Sequence, residues 1–227
     1  AEAHLMHIAK VNEANEDIKA RSRSIVSLRD IQRVFVLFRY FCSEDEHKLA
    51  KGSIERAVLL AVGCVYYFRL DTTSRKKYRD HIDTKCAAFR VNIDTVLNDA
   101  MSQVLQETYI QKGIAKTKGL KENIFLTWLC TAVRMPLMII GPPGSSKTLA
   151  VNIVINNSKG KESQKLFYRN RPQLRATHYQ CSKLSTDVEI KAAFDRAINT
   201  QKCVDKEKVQ CIVFMDEAGL PEEQRES

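Results

Sequence analysis

Eight consecutive residues constrain the fold of this chain more than any other feature. They are Gly141-Pro142-Pro143-Gly144-Ser145-Ser146-Lys147-Thr148. They follow the apolar run Leu137–Ile140, which predicts a strand buried in a parallel sheet, and they lead into a segment that predicts a helix from Lys147 to Asn156. A loop between a strand and a helix matches the phosphate-loop pattern GxxxxGK[ST] at every fixed position except Ser146, where a second glycine is usual.

This loop predicts a binding site for a nucleoside triphosphate, ATP with Mg²⁺. Backbone N–H groups of such a loop point at phosphate oxygens, and the helix N-terminus adds partial positive charge. Lys147 would supply a cation to the β- and γ-phosphates, and the Thr148 hydroxyl would ligate Mg²⁺. Ser146 keeps its N–H donor but adds a side chain near the phosphates. The predicted binding residues are Gly141, Pro142, Pro143, Gly144, Ser145, Ser146, Lys147, Thr148 and Leu149.

A second motif, the apolar segment Cys211–Met215 followed by Asp216 and Glu217, strengthens this interpretation. Asp216 would hold Mg²⁺ opposite Thr148, and Glu217 would act as the catalytic residue that polarises the attacking water. Either motif alone has an ordinary structural explanation, a tight strand-to-helix turn or a solvated strand end. Their occurrence together favours nucleotide binding, and Glu217 adds the expectation of hydrolysis.

The order of elements predicts two units. The first, residues 1–111, is all-helical, and the second, residues 112–227, is part of an α/β P-loop NTPase core. A lysine-rich connector between Gly113 and Gly119 would join them. Helices are predicted for residues 1–20, from Ser27 with a capping box to Asp30, from Ser53, and over 74–89, 93–110, 120–134 and 187–200, with further strands at 178–181 and 209–215.

Composition narrows the function classes. The formal net charge of +9 raises the possibility of a nucleic-acid module, but the basic clusters near residues 75–79 and 112–121 lack interleaved aromatic residues, which favours solvated helix faces. Seven cysteines without a CxxC spacing indicate a reducing, cytoplasmic setting and no zinc knuckle. No apolar run approaches the roughly 20 residues of a membrane helix. The missing initiator Met and abrupt end predict a fragment of a longer chain.

Three segments together resemble a known family. They are the serine-bearing loop, residues 179–186 (YQCSKLST) and residues 214–221 (FMDEAGLP). The chain resembles the AAA+ ATPases and, more closely, the mysterin family of giant RING-type AAA+ ubiquitin ligases. The likeness covers the C-terminal half well and extends to Ser27-Leu28-Arg29-Asp30 in the first half.

The resemblance implies a position for each half in a tandem AAA+ protein. Residues 1–111 would be the helical lid-like subdomain of a preceding module, with Arg29 as a second sensor for that module's γ-phosphate; alternatively, Arg29 is an exposed residue of a capped first turn. Residues 112–227 would be the N-terminal part of the next α/β core. Neighbouring AAA+ modules of the same chain would be partners and supply an arginine finger, so the fragment alone would be inactive.

The resemblance also implies that ubiquitin machinery binds regions outside this fragment, because no RING-like set of cysteines and histidines is present. ATP binding or hydrolysis would then drive or brace a conformational change in the ligase. Three alternatives remain open: a tandem motor of the dynein or midasin type, a non-hydrolysing scaffold braced by nucleotide, and a basic nucleic-acid module.

Overall fold

A computed structural model describes residues 27–44 and 47–220 of the chain. The predicted helix over residues 1–20 lies outside this part. The described elements are mostly helical. They are α1 (Leu28–Arg39), α2 (Ile54–Tyr66), α3 (Thr72–Lys85), α4 (Ile93–Glu107), α5 (Lys118–Ala132), α6 (Lys147–Asn157), the one-turn α7 (Leu166–Arg169), β1 (Gln173–Gln180), α8 (Asp187–Lys202) and β2 (Val209–Asp216).

Side-chain caps fix the starts of six of these helices. In each case a side-chain oxygen just before the helix accepts a hydrogen bond from a backbone N–H of the first turn, which satisfies a donor that the helix leaves without a partner. In α1 the capping box between Ser27 and Asp30 is confirmed. The capping residues are Ser27, Ser53, Asp71, Asn92, Thr117 and Thr186.

Helices α3 and α5 begin two residues before their predicted starts, because each has a capping side chain that the pattern of apolar residues does not reveal. Asp71 caps α3, so this helix begins at Thr72, and a separate 3₁₀ turn occupies Ala87–Phe89 at its far end. Thr117 caps α5, which places Gly119 inside the first turn of the helix and shortens the predicted connector. Short polar side chains before a helix therefore determine its start more closely than the nearest glycine does.

The two strands form a parallel sheet, with Gln173 opposite Val209 and Gln180 opposite Asp216. Helix α8 connects them, so the unit is a β–α–β crossover. Strand β1 begins at Gln173, earlier than the predicted start at His178. The first half of β1 has only a weak alternation of polar and apolar residues, so the sequence does not predict it as a strand. Its pairing with β2 forms this part of the strand.

The predicted strand at Leu137–Ile140 is not formed. Met138 is 79% exposed and Ile140 is 86% exposed, and the segment makes no backbone hydrogen bond to another described residue. An apolar run predicts burial between neighbouring strands, but a strand also needs a hydrogen-bonding partner. Within the described part of the chain, β1 and β2 pair only with each other and not with this run.

The two predicted units share one hydrophobic core. Buried residues of α2, α4, α5, α6 and β1 belong to a single cluster, which includes Trp128 and Tyr168, both fully buried. Polar contacts also join the halves. The Asn157 amide exchanges hydrogen bonds with the backbone of Tyr109 at 2.8 and 2.9 Å. The division at residues 111 and 112 stays a prediction, since a shared core can also join two subdomains.

Candidate functional site

The glycine-rich loop contains two left-handed backbone positions. Gly144 has φ +75° and Ser146 has φ +62°. Glycine adopts this conformation at no steric cost, whereas a residue with a β-carbon is strained there. The loop pattern has a glycine at position 146 for a geometric reason, and this chain forms the same turn with a serine.

Helix α6, which follows the loop, begins without a side-chain cap. The side chain of its N-cap residue, Ser146, makes no capping hydrogen bond to the first turn, unlike the N-cap side chains of the six capped helices. Within residues 27–44 and 47–220, the backbone N–H groups of Gly144, Ser146, Lys147 and Thr148 donate to no acceptor. These donors at the positive end of a helix form a site suited to an anion.

The ammonium of Lys147 lies over the loop. Its Nζ donates hydrogen bonds to the carbonyl oxygens of Gly141 at 2.8 Å and Pro142 at 3.0 Å. Both carbonyls belong to the first turn of the loop, so the side chain folds back along it. A lysine in this position adds a cation beside the open N–H donors.

Thr148 and Asp216 are brought together from opposite ends of the α/β half. The Thr148 hydroxyl donates a hydrogen bond of 2.8 Å to Oδ2 of Asp216, 68 residues further along the chain. Asp216 is the last residue of β2, and its carbonyl accepts a bond of 2.9 Å from the N–H of Cys181. The two parallel strands therefore end beside the start of helix α6.

Glu217 follows Asp216 in a left-handed conformation, with φ +53°. Its N–H donates to Oδ1 of Asp216 at 3.0 Å, which leaves Oδ2 of Asp216 for Thr148. The Glu217 side chain is exposed. Burial, with the nearby Asp216 carboxylate as a second cause, raises the pKa of the Cys181 thiol, so this neighbour of the site is a neutral thiol.

The oxygen atoms of Thr148 and Asp216 fit a magnesium ion. Hydroxyl and carboxylate oxygens are hard ligands, and Mg²⁺ is commonly held by one or two protein groups together with phosphates and water. The described residues contain no group of three or more His, Cys, Asp or Glu side chains arranged for a metal. A cation here would need further oxygen ligands besides these two residues, from water or from a bound anion.

Two further residues differ in how they relate to the loop. Arg29 is exposed and has no hydrogen-bond or ion-pair partner among residues 27–44 and 47–220, and no contact joins it to the loop. Asn123 of α5, which no sequence motif indicates, donates from Nδ2 to the Ser145 carbonyl at 3.2 Å. Only the packing of α5 beside the loop reveals this contact.

Comparison with known proteins identifies relatives over most of the chain. Human E3 ubiquitin-protein ligase RNF213 is 30% identical over 219 residues, which is 88% of this chain, and the mouse protein of the same name is 28% identical over 219 residues, or 87% of it. A Dictyostelium discoideum protein whose name describes it as an uncharacterized transmembrane protein is 29% identical over 244 residues, or 89%. The chain spans 4% of the length of each of these three proteins.

No described helix is long and apolar enough to cross a membrane.

The family model described as the RNF213 AAA domain matches residues 113–227, just over half of the chain. The match begins at the connector before α5 and contains the loop, the sheet and the acidic pair. The resemblance read from the loop and its companion segments is therefore confirmed, and the chain belongs to the mysterin, or RNF213, family of AAA-domain proteins.

Proposed function

We propose that this chain is part of an AAA+ module that binds ATP and Mg²⁺ within a mysterin-like E3 ubiquitin ligase. Residues 112–227 would form the N-terminal part of a P-loop NTPase core, and residues 1–111 the lid-like subdomain of the preceding module. ATP binding or hydrolysis would drive or brace a conformational change in the long chain, in the cytoplasm. Neighbouring AAA+ modules and the ubiquitin machinery would be its partners.

The 2.8 Å hydrogen bond between Thr148 and Asp216 carries this proposal. It joins the residue after the loop lysine to the acid at the end of β2, which are far apart in sequence. A strand-to-helix turn that carried these residues by chance would have no reason to meet a carboxylate of another strand. The Thr148 hydroxyl and the Asp216 carboxylate would hold a Mg²⁺ ion that binds together with the nucleotide.

The open N–H donors of the loop support phosphate binding. The N–H groups of Ser146, Lys147 and Thr148 would donate to β-phosphate oxygens, and Lys147 would turn from the loop carbonyls to the β- and γ-phosphates. Mg²⁺ would neutralise charge on the same phosphates. Leu149, the next residue of α6, is 37% exposed and would contact the nucleotide beside the phosphates.

Glu217 would orient and polarise the water that attacks the γ-phosphate. Its exposure and its position next to Asp216 support this role. A neighbouring module would supply the arginine finger. Arg29 would act as a second sensor toward the preceding module, and its exposed position supports such a contact.

The test measures nucleotide binding and turnover in the intact parent protein. We expect Lys147→Ala to weaken ATP affinity by at least about tenfold, because a charge-assisted contact to phosphate contributes about 1.5–3 kcal/mol. Isothermal titration with ATP and Mg²⁺ would measure the affinity. Glu217→Gln should leave binding intact and lower phosphate release by about a hundredfold or more, as expected for loss of a general base.

Lys202→Ala is a matched control, because this lysine is exposed at the end of α8 and has no described ion pair. It should bind and turn over ATP like the wild type. Wild-type affinity in Lys147→Ala would contradict nucleotide binding at this loop. Unchanged turnover and ubiquitylation in Glu217→Gln, with binding intact, would favour the non-hydrolysing scaffold.

A further inference from the structure

The hydrogen bond from Asn123 to the loop has a consequence for nucleotide binding. Nδ2 of Asn123 donates to the carbonyl oxygen of Ser145 at 3.2 Å. Gly119 lies one turn earlier on the same face of α5, and a β-carbon built there would stand 3.9 Å from the same oxygen. Helix α5 therefore passes close to the loop at this peptide group.

The Ser145 carbonyl and the Ser146 N–H belong to the same peptide unit. The chain has no described cis peptide, so this unit is trans and planar, and its C=O and N–H point in opposite directions. A carbonyl held toward α5 directs the Ser146 N–H away from α5. That N–H donates to no acceptor within the described part of the chain.

Helix α5 is firmly placed. Arg75 of α3 binds the carboxylate of Glu122, the neighbour of Asn123, with distances of 2.8 and 3.0 Å, and both side chains are largely buried. On the opposite face Ile124 and Trp128 are fully buried in the shared core. The amide of Asn123 is thus presented to the loop by a rigid element, not by a mobile surface residue.

We propose that Asn123 is a positioning residue for nucleotide binding, which orients the Ser145–Ser146 peptide so that the Ser146 N–H faces the phosphates. The inference rests on the proposed function. It also accounts for the serine in the loop: Ser146 is strained at φ +62°, and the Asn123 hydrogen bond keeps the backbone in that conformation. A glycine at the same position would need no such support.

The experiment compares nucleotide affinities of variants of the intact parent protein. We expect Asn123→Ala to raise the Kd for ATP and for ADP by about threefold to tenfold, the effect of one net hydrogen bond. Asn123→Asp should weaken binding at least as much, because it removes the donor and adds a negative charge near the phosphates. Alanine is a better helix former than asparagine, so weakening of α5 would not explain the loss.

Asn199→Ala is the matched control, since Asn199 is an exposed residue in the interior of α8 without a described partner. Its Kd should equal the wild-type value. The decisive measurement compares the Ser146→Gly variant with and without Asn123→Ala. We expect the Kd values of these two proteins to differ by less than about twofold, because glycine adopts the left-handed conformation freely. A residue with only a structural role would show the same loss in both backgrounds.

Wild-type affinity in Asn123→Ala, or an equal loss with and without Ser146→Gly, would overturn the inference. These results differ from those that would overturn the proposed function. If Lys147→Ala binds ATP normally, the loop is not the nucleotide site. If Lys147→Ala loses binding while Asn123→Ala retains it, the loop binds nucleotide without help from α5.

Discussion

Three residues at the candidate site have backbone conformations that residues with a β-carbon rarely adopt. Gly144, Ser146 and Glu217 all have positive φ, and two of them carry a β-carbon. Such strain persists where the surrounding structure holds the backbone in place, and it is concentrated at functional sites. Here the hydrogen bonds at Ser145 and Asp216 provide that constraint on either side of the Thr148–Asp216 contact.

Gly144→Ala tests the conformational demand of the loop at a single residue. A β-carbon at Gly144 would meet no atom within 4 Å, so the change adds backbone strain without a clash. We expect it to cost about 1 kcal/mol, either as lower stability or as weaker nucleotide binding, because a left-handed non-glycine residue is disfavoured by about that amount. Urea denaturation and ATP titration of the same variant would measure both.

Gly219→Ala is the comparison for this residue. It also meets open space, and its backbone is not left-handed. It should therefore change neither quantity. Wild-type stability and wild-type affinity in Gly144→Ala would show that the loop does not need its left-handed turn.

At the scale of elements, the capping box of α1 does more than begin a helix. The Asp30 carboxylate is buried and accepts hydrogen bonds from Arg69 at 2.6 Å and from the Ser27 hydroxyl at 2.9 Å. The Arg69 hydrogen bond is the main cause that holds the pKa of Asp30 well below its usual range, although burial opposes it. One residue thus joins the start of α1 to the turn after α2.

Asp30→Asn should lower the free energy of unfolding by about 1–3 kcal/mol at pH 7, because hydrogen bonds to a charged group are lost. Since the folded pKa is depressed, this contribution is present above the unfolded pKa of about 4 and is lost as pH falls below it. The difference between wild type and variant should therefore shrink from pH 7 to pH 3. Fluorescence of Trp128, the only tryptophan, would follow urea unfolding of the core.

Asp195→Asn in α8 is the control, because Asp195 is exposed and has no described ion pair. Its stability should match the wild type at both pH values. A difference between wild type and Asp30→Asn that stays constant down to pH 3 would contradict the role of the carboxylate charge.

At the scale of the whole molecule, the helical half and the α/β half are held by one core and by a small number of polar contacts. Asn157 at the end of α6 joins both backbone groups of Tyr109, just after α4, and the Tyr168 hydroxyl pairs with the Thr108 hydroxyl at 2.7 Å. The helix that begins at the loop therefore ends against the helical half.

Asn157→Ala should destabilise the whole chain by about 1–3 kcal/mol, since it removes the two hydrogen bonds that join the buried Asn157 amide to the backbone of Tyr109. Both halves share the core around Trp128, so we expect a single unfolding transition shifted to lower urea, seen equally by fluorescence and by circular dichroism. Asn156→Ala, an exposed neighbour in the same helix, should behave as wild type. Two separate transitions in Asn157→Ala would show instead that the halves unfold independently.

The sequence by itself was sufficient for features that depend on neighbouring residues. It predicted the capping box at Ser27, the helices that follow Ser53 and Thr186, and the second strand of the sheet, because caps and apolar periodicity act within a few residues. It also predicted the family, since the loop and the acidic pair are compact motifs.

Only the tertiary structure decided which of these segments meet. Leu137–Ile140 has the composition of a buried strand but lies exposed, because pairing requires a neighbour that composition does not specify. The 2.8 Å contact between Thr148 and Asp216 and the approach of Asn123 to Ser145 depend on the packing of separate elements around a shared core. Local pattern determines what each segment can form, and long-range packing determines which side chains come within hydrogen-bond distance.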